Sequence, residues 1–412
     1  MARLYHKAYR RGGGRKGGFK KASPDPIAVT DFPTDLTLPA TSDPSLLGTV
    51  TDPYNSAMTI RKITDNGGNF PTTSSNYIGV QYSKRPVESG AYIVVQPWTY
   101  RMLDRGDGYA YVAQFSSTGQ YGSRRYPGRF YGEWNSTTQW GYDDTYYSGS
   151  GRTIVFDGGA TYSVVSFGQG EGSLDYNEEY VALICRRSSD SVYEIKCVRI
   201  SDGTVMGTWD TGVTSNASIN NCTMSPSGER VVVQLTGTVD SRTAGLHVFD
   251  RTMTHERQIS IGGSGSHIDY GLLEDAQTEV AVWVSASDKS VQYYKLSDGS
   301  STTAISSTDT PFGYNTHISM KAYDRPGYVV VSSFDATWAG FTDATNAICA
   351  VRLSNGDIEI WGCSQHSESN VSNYNHSPFA VPSYDGKRIY FNSAWRSTTG
   401  TTNALMYVAE RL

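Results

Sequence analysis

Short apolar runs recur along this chain about every fifty positions, and a polar turn precedes each of them. Each unit has a turn with Asp, Asn, Ser or Gly, a run of β-branched residues, and a second amphipathic strand that ends in another turn. Alternation with a period of two predicts strands, and no segment has sustained helical periodicity. The clearest copies of the turn and run occupy residues 173–183, 224–233, 273–282, 323–331 and 383–391.

A repeat of roughly 40 to 50 residues with about four strands per unit is typical of a β-propeller. Two weaker copies, around residues 92–115 and 134–167, bring the expected number of blades to about seven. The sequence therefore predicts an all-β fold, a seven-bladed β-propeller over residues 57–412. Residues 59–65 have the pattern of a displaced outer strand, and residues 404–409 are placed to share its blade. A ring closed in this way leaves no open sheet edge.

The first 24 residues form a basic, irregular, glycine-rich arm. They carry eight basic residues and no acidic one, so the net charge of −5 for the whole chain leaves −13 on the remainder. The arm has no apolar run typical of a signal peptide or a membrane span, and we expect neither. Residues 25–56, with a Pro every several residues, predict an extended strap over the domain. The residues expected to bind a partner are Arg10, Arg11, Arg15, Lys16, Lys20 and Lys21.

Two interpretations of the arm stay open. A glycine-rich basic segment cannot bury enough apolar surface to fold alone, so it is either a solvated tail or an arm that folds against a partner. In the second case the partner is anionic: a nucleic acid, an acidic groove of another protein, or the negative propeller of a neighbouring subunit. Tyr5, Tyr9 and Phe19 would add aromatic contacts.

Three of the seven histidines fall at the same phase of three successive units. His267, His317 and His376 stand 12 or 13 residues before the apolar run of their unit. In a propeller this phase is the start of the inner strand, so the three imidazoles are expected to converge at one mouth of the central channel. There they could hold zinc or manganese with a position open for water or substrate. The alternatives are a structural hydrogen bond to the neighbouring blade and direct binding of a ligand.

The other histidines are weaker candidates. His366, in the loop before His376, is either a fourth ligand or a surface residue. His247 alternates within residues 246–249 and is expected on a strand face, while His255 sits near a turn, so neither is a candidate. The sequence contains no phosphate-binding loop, nucleophile elbow or His-Glu-x-x-His motif.

Several motifs resemble the seven-bladed propellers related to oligogalacturonate and ulvan lyases. They include Gly-Glu-Gly-Ser-Leu-Asp at 170–175, Gly-Gly-Ser-Gly-Ser-His-Ile-Asp at 262–269, Asp-Arg-Pro-Gly-Tyr at 324–328 and Asn-His-Ser-Pro at 375–378. The resemblance implies β-elimination of uronate polysaccharides, in which a metal or cationic group neutralises the carboxylate while His, Tyr or Lys removes the α-proton. It implies His267, His317 and His376 as metal or catalytic residues, with Tyr82, Lys84 and Arg325 as catalytic helpers.

Two functions of different classes follow. The first is a structural or surface-binding propeller in a large assembly, most plausibly a bacteriophage virion that assembles in the cytoplasm. Its arm and strap would bind other subunits or nucleic acid, and its propeller would offer a surface for carbohydrate. The second is a metal-assisted polysaccharide lyase with zinc or manganese as cofactor. We favour the first, because an enzyme acting on external glycans normally needs an export signal.

Overall fold

Within the described residues, the computed structural model has twenty-six strands and no helix. The expected all-β class is confirmed there. No helix in those parts is long and apolar enough to cross a membrane. The described residues are 44, 48–51, 57–63, 88–89, 92–95, 99–104, 110–116, 154–155, 161–166, 175–177, 179–199, 204–261, 268–285, 288–310, 312, 316–332, 347–364, 378–383, 385–393, 395 and 405–411.

The strands form six antiparallel sheets that follow one another along the chain. The first sheet is β3 (Glu88–Ser89), β4 (Tyr92–Val95), β5 (Thr99–Asp104) and β6 (Ala110–Ser116). The second is β7 (Ile154–Val155), β8 (Thr161–Ser166), β9 (Tyr180–Arg187), β10 (Tyr193–Arg199) and β11 (Val205–Asp210). The third is β12 (Ile219–Met224), β13 (Arg230–Leu235), β14 (Gly245–Asp250) and β15 (His255–Ile259).

The remaining sheets complete the order. The fourth sheet is β16 (Ile268–Leu272), β17 (Glu279–Val284), β18 (Val291–Lys295) and β19 (Ser301–Ile305). The fifth is β20 (His317–Ser319), β21 (Tyr328–Ser332), β22 (Ala347–Arg352) and β23 (Ile358–Cys363). The closing sheet is β24 (Val381–Pro382), β25 (Arg388–Ser393), β26 (Leu405–Arg411), β2 (Met58–Lys62) and β1 (Thr49–Thr51).

The arrangement of these sheets is that of a propeller. In the third, fourth and fifth sheets the strands pair in chain order, and the first strands of neighbouring sheets, β16 with β20 and β20 with β24, contact each other. The last strands β15 and β19 are largely exposed. First strands therefore lie innermost and last strands outermost. The expected seven blades stay a prediction, because the described residues account for six sheets.

Both ends of the chain meet in the closing sheet, as the sequence predicted. β2 pairs antiparallel with β26, from Met58 opposite Arg411 to Lys62 opposite Tyr407. β1 pairs with the other side of β2 and is the outermost strand, although residues 49–51 fall within the range expected for the strap. The arm, residues 1–24, lies outside the described residues, and the domain boundaries stay predictions.

The core consists of apolar layers between neighbouring sheets. The second strand of a sheet, such as β17 or β21, is buried along its whole length because neighbouring sheets cover both of its faces. This explains the continuous Val-rich runs of the repeat, in place of a strict alternation. Each of four buried clusters contains residues from two neighbouring sheets, for example Ile195 and Val233, Val248 and Ala281, Val282 and Val331, and Ile348 and Phe391.

Candidate functional site

The structure places His317 where the sequence predicted, at the start of an inner strand. It is the first residue of β20, is 4% exposed, and pairs across the sheet with Ser332. Its ring lies 4.4 Å, centroid to centroid, from the ring of Phe379, which precedes β24. The Ser332 hydroxyl accepts a hydrogen bond from the Ala380 amide at 3.1 Å. His317 is therefore held between the inner strands of two neighbouring sheets.

The other predicted ligands and helpers lie outside the described residues. These are His267, His376, Tyr82, Lys84 and the six basic residues of the arm. His267 directly precedes Ile268, the first residue of β16, in the sequence, and its own placement stays a prediction. Within the described ranges no three His, Cys, Asp or Glu side chains form a group that could hold a metal ion. The metal site stays a prediction.

Arg325 is in the described part of the chain and does not join His317. It lies in the turn between β20 and β21, at the end of β20 opposite to His317. Its guanidinium forms an ion pair with Glu359 and lies 3.7 Å from the ring centroid of Tyr328. Tyr328 belongs to β21 and Glu359 to β23, so Arg325 contacts two strands of the fifth sheet between which β22 lies. A catalytic role for Arg325 stays a prediction. In the structure its positive charge is paired with the carboxylate of Glu359.

A buried ion pair that sequence reasoning missed joins the inner strands of the fourth and fifth sheets. Asp269 Oδ1 lies 3.0 Å from Lys321 Nζ, and the two side chains are 0% and 1% exposed. The carboxylate also accepts hydrogen bonds from the amides of Met320 and Tyr270, both at 2.7 Å. Lys321 donates a further bond to the Tyr270 carbonyl at 3.2 Å. Buried charges are tolerated when they are paired and hydrogen-bonded in this way.

Two tyrosines stack over this ion pair. The rings of Tyr176 and Tyr323 lie 3.6 Å apart, centroid to centroid, at an angle of 24°. The Tyr176 hydroxyl donates to the Met320 carbonyl at 3.5 Å. Burial of the phenol, with Tyr323 and Asp269 nearby, holds the pKa of Tyr176 well above its usual value. Tyr176 precedes β9 of the second sheet and Tyr323 belongs to the fifth, so the contact crosses the ring.

The turn that carries Tyr176 is fixed by the preceding carboxylate. Asp175 is 1% exposed and accepts hydrogen bonds from the amides of Asn177, Glu179 and Tyr180 at 3.0, 2.8 and 2.7 Å. Burial raises the pKa of Asp175 to about 6, against the lowering effect of these amides. Asp175 therefore combines a structural role with a carboxyl group that titrates near neutral pH.

The inner surface thus has two distinct ends. His317 marks one end of β20, while Lys321 and Tyr323 follow its other end, with roughly 13 Å of extended chain between His317 and Lys321. At the second end both charges are compensated and aromatic rings cover them. A polar, chemically capable site at the His317 end stays a prediction. Lys321 between Met320 and Ala322 was a sequence signal for a buried charge, but the sequence did not identify Asp269 as its partner.

Comparisons with known proteins agree with the fold. No protein-family model matches the chain, and no curated protein matches its sequence. Among solved structures, an oligogalacturonate lyase in complex with manganese aligns with a TM-score of 0.56 and 13% identity, covering 88% of this chain and 96% of that chain. TolB from Acinetobacter baumannii aligns with a TM-score of 0.36 and 11% identity, over 78% of this chain and 77% of that chain. The similarity to the lyase confirms the expected resemblance as one of fold, and that fold is a β-propeller.

Proposed function

We propose that this chain is a structural, surface-binding β-propeller of a large assembly, a bacteriophage virion, and that its N-terminal arm attaches it to other subunits. The observation that carries the proposal is the place where the N-terminal segment meets the ring. β1 is the outermost strand of the closing sheet, so the chain before Thr49 joins the propeller at its periphery. We propose that the arm, joined at this peripheral strand, reaches a neighbouring subunit.

The strands that follow the N-terminal segment are integral parts of the closing sheet. β2 is flanked by β1 on one side and by the C-terminal strand β26 on the other. Arg61 of β2 pairs with Glu410 of β26 at 3.3 Å, and Met58 and Ile60 are each 1% exposed. The N-terminal segment is therefore joined through β1 and β2 to β26, the middle strand of the closing sheet. The 48 residues before Thr49 could span on the order of 150 Å when fully extended, several times the length of a strand.

Charge supports an anionic partner. The first 24 residues carry +8, whereas the remainder of the chain carries −13. Opposite charges on complementary surfaces accelerate association and select the partner, and salt weakens the attraction. The arm is therefore suited to the negative propeller of a neighbouring copy or to nucleic acid inside a particle. The propeller face would remain available for carbohydrate.

Deletion of residues 1–24 tests this function. The full chain and the shortened chain are produced in the cells in which the assembly forms, and particles are separated from free protein by sedimentation. We expect the full chain in the particle fraction and the shortened chain among free proteins, with an unchanged melting temperature. Equal recovery of both chains in particles would contradict the proposal.

A metal-assisted polysaccharide lyase is the second candidate, and the position of His317 favours it. His317 begins an inner strand, and His267 immediately precedes the first residue of the neighbouring inner strand, β16. With His376, these imidazoles fit the neutral nitrogen ligands that zinc and manganese accept. The aligned lyase was solved with manganese. A bound ion would neutralise a uronate carboxylate and make the adjacent C–H removable by a base.

His317→Ala is the test of the lyase. Elimination breaks the C–O bond to the leaving sugar and forms a C=C bond conjugated with the carboxylate, so turnover is followed by ultraviolet absorbance on uronate polymers. We expect cleavage by the wild-type chain with zinc or manganese and none by a His317→Ala chain that melts at the same temperature. Equal cleavage by the two chains would remove His317 from the mechanism, and no cleavage by the wild type would remove the lyase.

A further inference from the structure

Two histidines face each other on the outer half of the third sheet, far from the axis. His247 lies in β14 and His255 begins β15, the outermost strand. His247 Nδ1 and His255 Nε2 are 3.2 Å apart. The pairing of β14 with β15 is irregular between Val248 and Phe249, so that Phe249 lies opposite His255. This irregularity brings the two imidazoles to the same face of the sheet.

The proton on the buried ring can be assigned from its partner. His247 is 0% exposed, and its Nε2 lies 2.8 Å from the Thr243 carbonyl. A carbonyl oxygen only accepts, so Nε2 carries the proton and Nδ1 presents a lone pair to His255. Gln258 fixes the loop that supplies this carbonyl, because its Nε2 donates to Thr243 Oγ1 at 2.8 Å and to the Ala244 carbonyl at 3.0 Å. Metal-binding histidines are oriented by this kind of backbone acceptor.

The exposed ring of His255 also presents an unprotonated nitrogen to its partner. A hydrogen bond to the Arg257 backbone acts to raise the pKa of His255, as only a carbonyl acceptor does. We assign this bond to Nδ1, since Nε2 faces His247. Both facing nitrogens are then acceptors, and a cation between them satisfies both. Burial and the nearby Arg242 lower the pKa of each histidine, which keeps the rings in the neutral form that binds metals.

We propose that His247 and His255 form a two-histidine site for a divalent transition-metal ion, of which Cu²⁺ and Zn²⁺ are the best fits. Two nitrogens bound at about 2.05 Å to a tetrahedral ion lie roughly 3.3 Å apart, close to the separation seen here. His247 supplies a fixed ligand from the interior, and His255 opens the site to solvent. The remaining positions are taken by water or by a side chain of a docking partner. This site is separate from the axial one.

The charges around the pair permit a cation. Arg242 is the nearby positive group, and its guanidinium forms an ion pair with Asp240 at 2.5 Å. It also lies 4.8 Å from the ring centroid of Trp209, which holds it against the sheet. Its charge is thus partly neutralised by Asp240. Cu²⁺ has the highest affinity among divalent first-row ions for nitrogen ligands, so it is the most sensitive probe.

The test is a titration of Cu²⁺ into the untagged full chain, followed by electron paramagnetic resonance. The variants are His255→Gln, His255→Ala and, as a matched control, His6→Gln in the arm. We expect a site with two nitrogen ligands in the wild type and the control, and an affinity of that site at least about tenfold lower in both His255 variants. His255 is exposed, so these variants should fold, which circular dichroism verifies.

A crystal soaked in Cu²⁺ supplies a second, independent measurement. An anomalous-scattering peak between the two facing nitrogens is expected. A wild-type chain without a saturable site, or His255 variants that bind Cu²⁺ as tightly as the wild type, would overturn the proposal. In that event the pair shares a proton and serves only to join β14 to β15.

Discussion

Tyr176 and Tyr323 stack with ring centroids 3.6 Å apart, although the third and fourth sheets separate them along the chain. The contact therefore spans the ring and closes the end of the inner surface above Lys321. The closing sheet already joins the two ends of the ring through the pairing of β2 with β26. Here a second tie, across the axis, links sheets that share no strand.

Removal of the Tyr176 ring should loosen this tie. We expect Tyr176→Ala to lower the free energy of unfolding by about 1–3 kcal/mol, because a stacked aromatic ring and its apolar contacts are lost. Tyr176→Phe keeps the ring and loses only the long 3.5 Å hydrogen bond to Met320, so its cost should be within about 1 kcal/mol. Urea unfolding measures both. Equal costs for the two variants would show that the hydroxyl, and not the stack, stabilises this end.

The buried ion pair predicts a large asymmetry between single and double substitutions. Lys321→Met leaves the Asp269 carboxylate buried without its cation, so we expect a loss of about 3–5 kcal/mol in the free energy of unfolding. The double variant Asp269→Asn with Lys321→Met removes both charges and should cost clearly less. A single variant no worse than the double would mean that the pair is already solvated.

The closing sheet predicts where the chain tolerates truncation. Removal of residues 1–43 leaves the buried Pro44 and the strands β1 and β2 in place, and we expect a monodisperse chain with unchanged stability. Removal of residues 1–63 deletes β2 and exposes the edge of β26, a template for pairing with other chains. That chain should aggregate or lose its cooperative unfolding, as size-exclusion chromatography and urea titration would reveal. A soluble, fully stable 64–412 chain would contradict the closure by both termini.

Asp175 makes stability depend on pH in a defined direction. Its pKa in the folded chain, about 6, is above the ordinary value of 3.8, so the folded state binds the proton more tightly than the unfolded state. The stability that protonated Asp175 contributes is present below about pH 4 and is lost as the pH rises to about 6. Urea unfolding at pH 4 to 7 should show this decline, and Asp175→Asn should flatten it. A rise in stability over this range that Asp175→Asn abolishes would mean that the three amide donors outweigh burial.

The spacing of apolar residues along the chain was enough to predict the strands and the closure of the ring. The Val-rich runs of β13, β17 and β21 and the apolar positions of β2 depend only on the spacing of residues in sequence. His317 was placed at a strand start for the same reason. Contacts between distant units were not predictable, because they depend on how the ring closes. Asp269 with Lys321 and Tyr176 with Tyr323 are of this kind.

The histidine pair shows a different limit. The sequence pattern correctly predicted that His247 lies on a strand face. It did not indicate His247 or His255 as a candidate for a functional site. Their contact arises from an irregular pairing of β14 and β15 that no residue type announces. Arg325 shows a third limit, since its partner Glu359 comes from another strand of the same sheet and could not be chosen from several nearby acidic residues.

The most direct test of the assembly function replaces the charge of the arm without changing its length. In the variant, Arg10, Arg11, Arg15, Lys16, Lys20 and Lys21 are all replaced by Gln in the full chain. Particles and free protein are separated by sedimentation, and the amount of each chain in the particles is quantified beside the wild type. We expect the neutral arm to leave the chain among free proteins while its melting temperature stays unchanged. Incorporation equal to that of the wild type would contradict an electrostatic anchor.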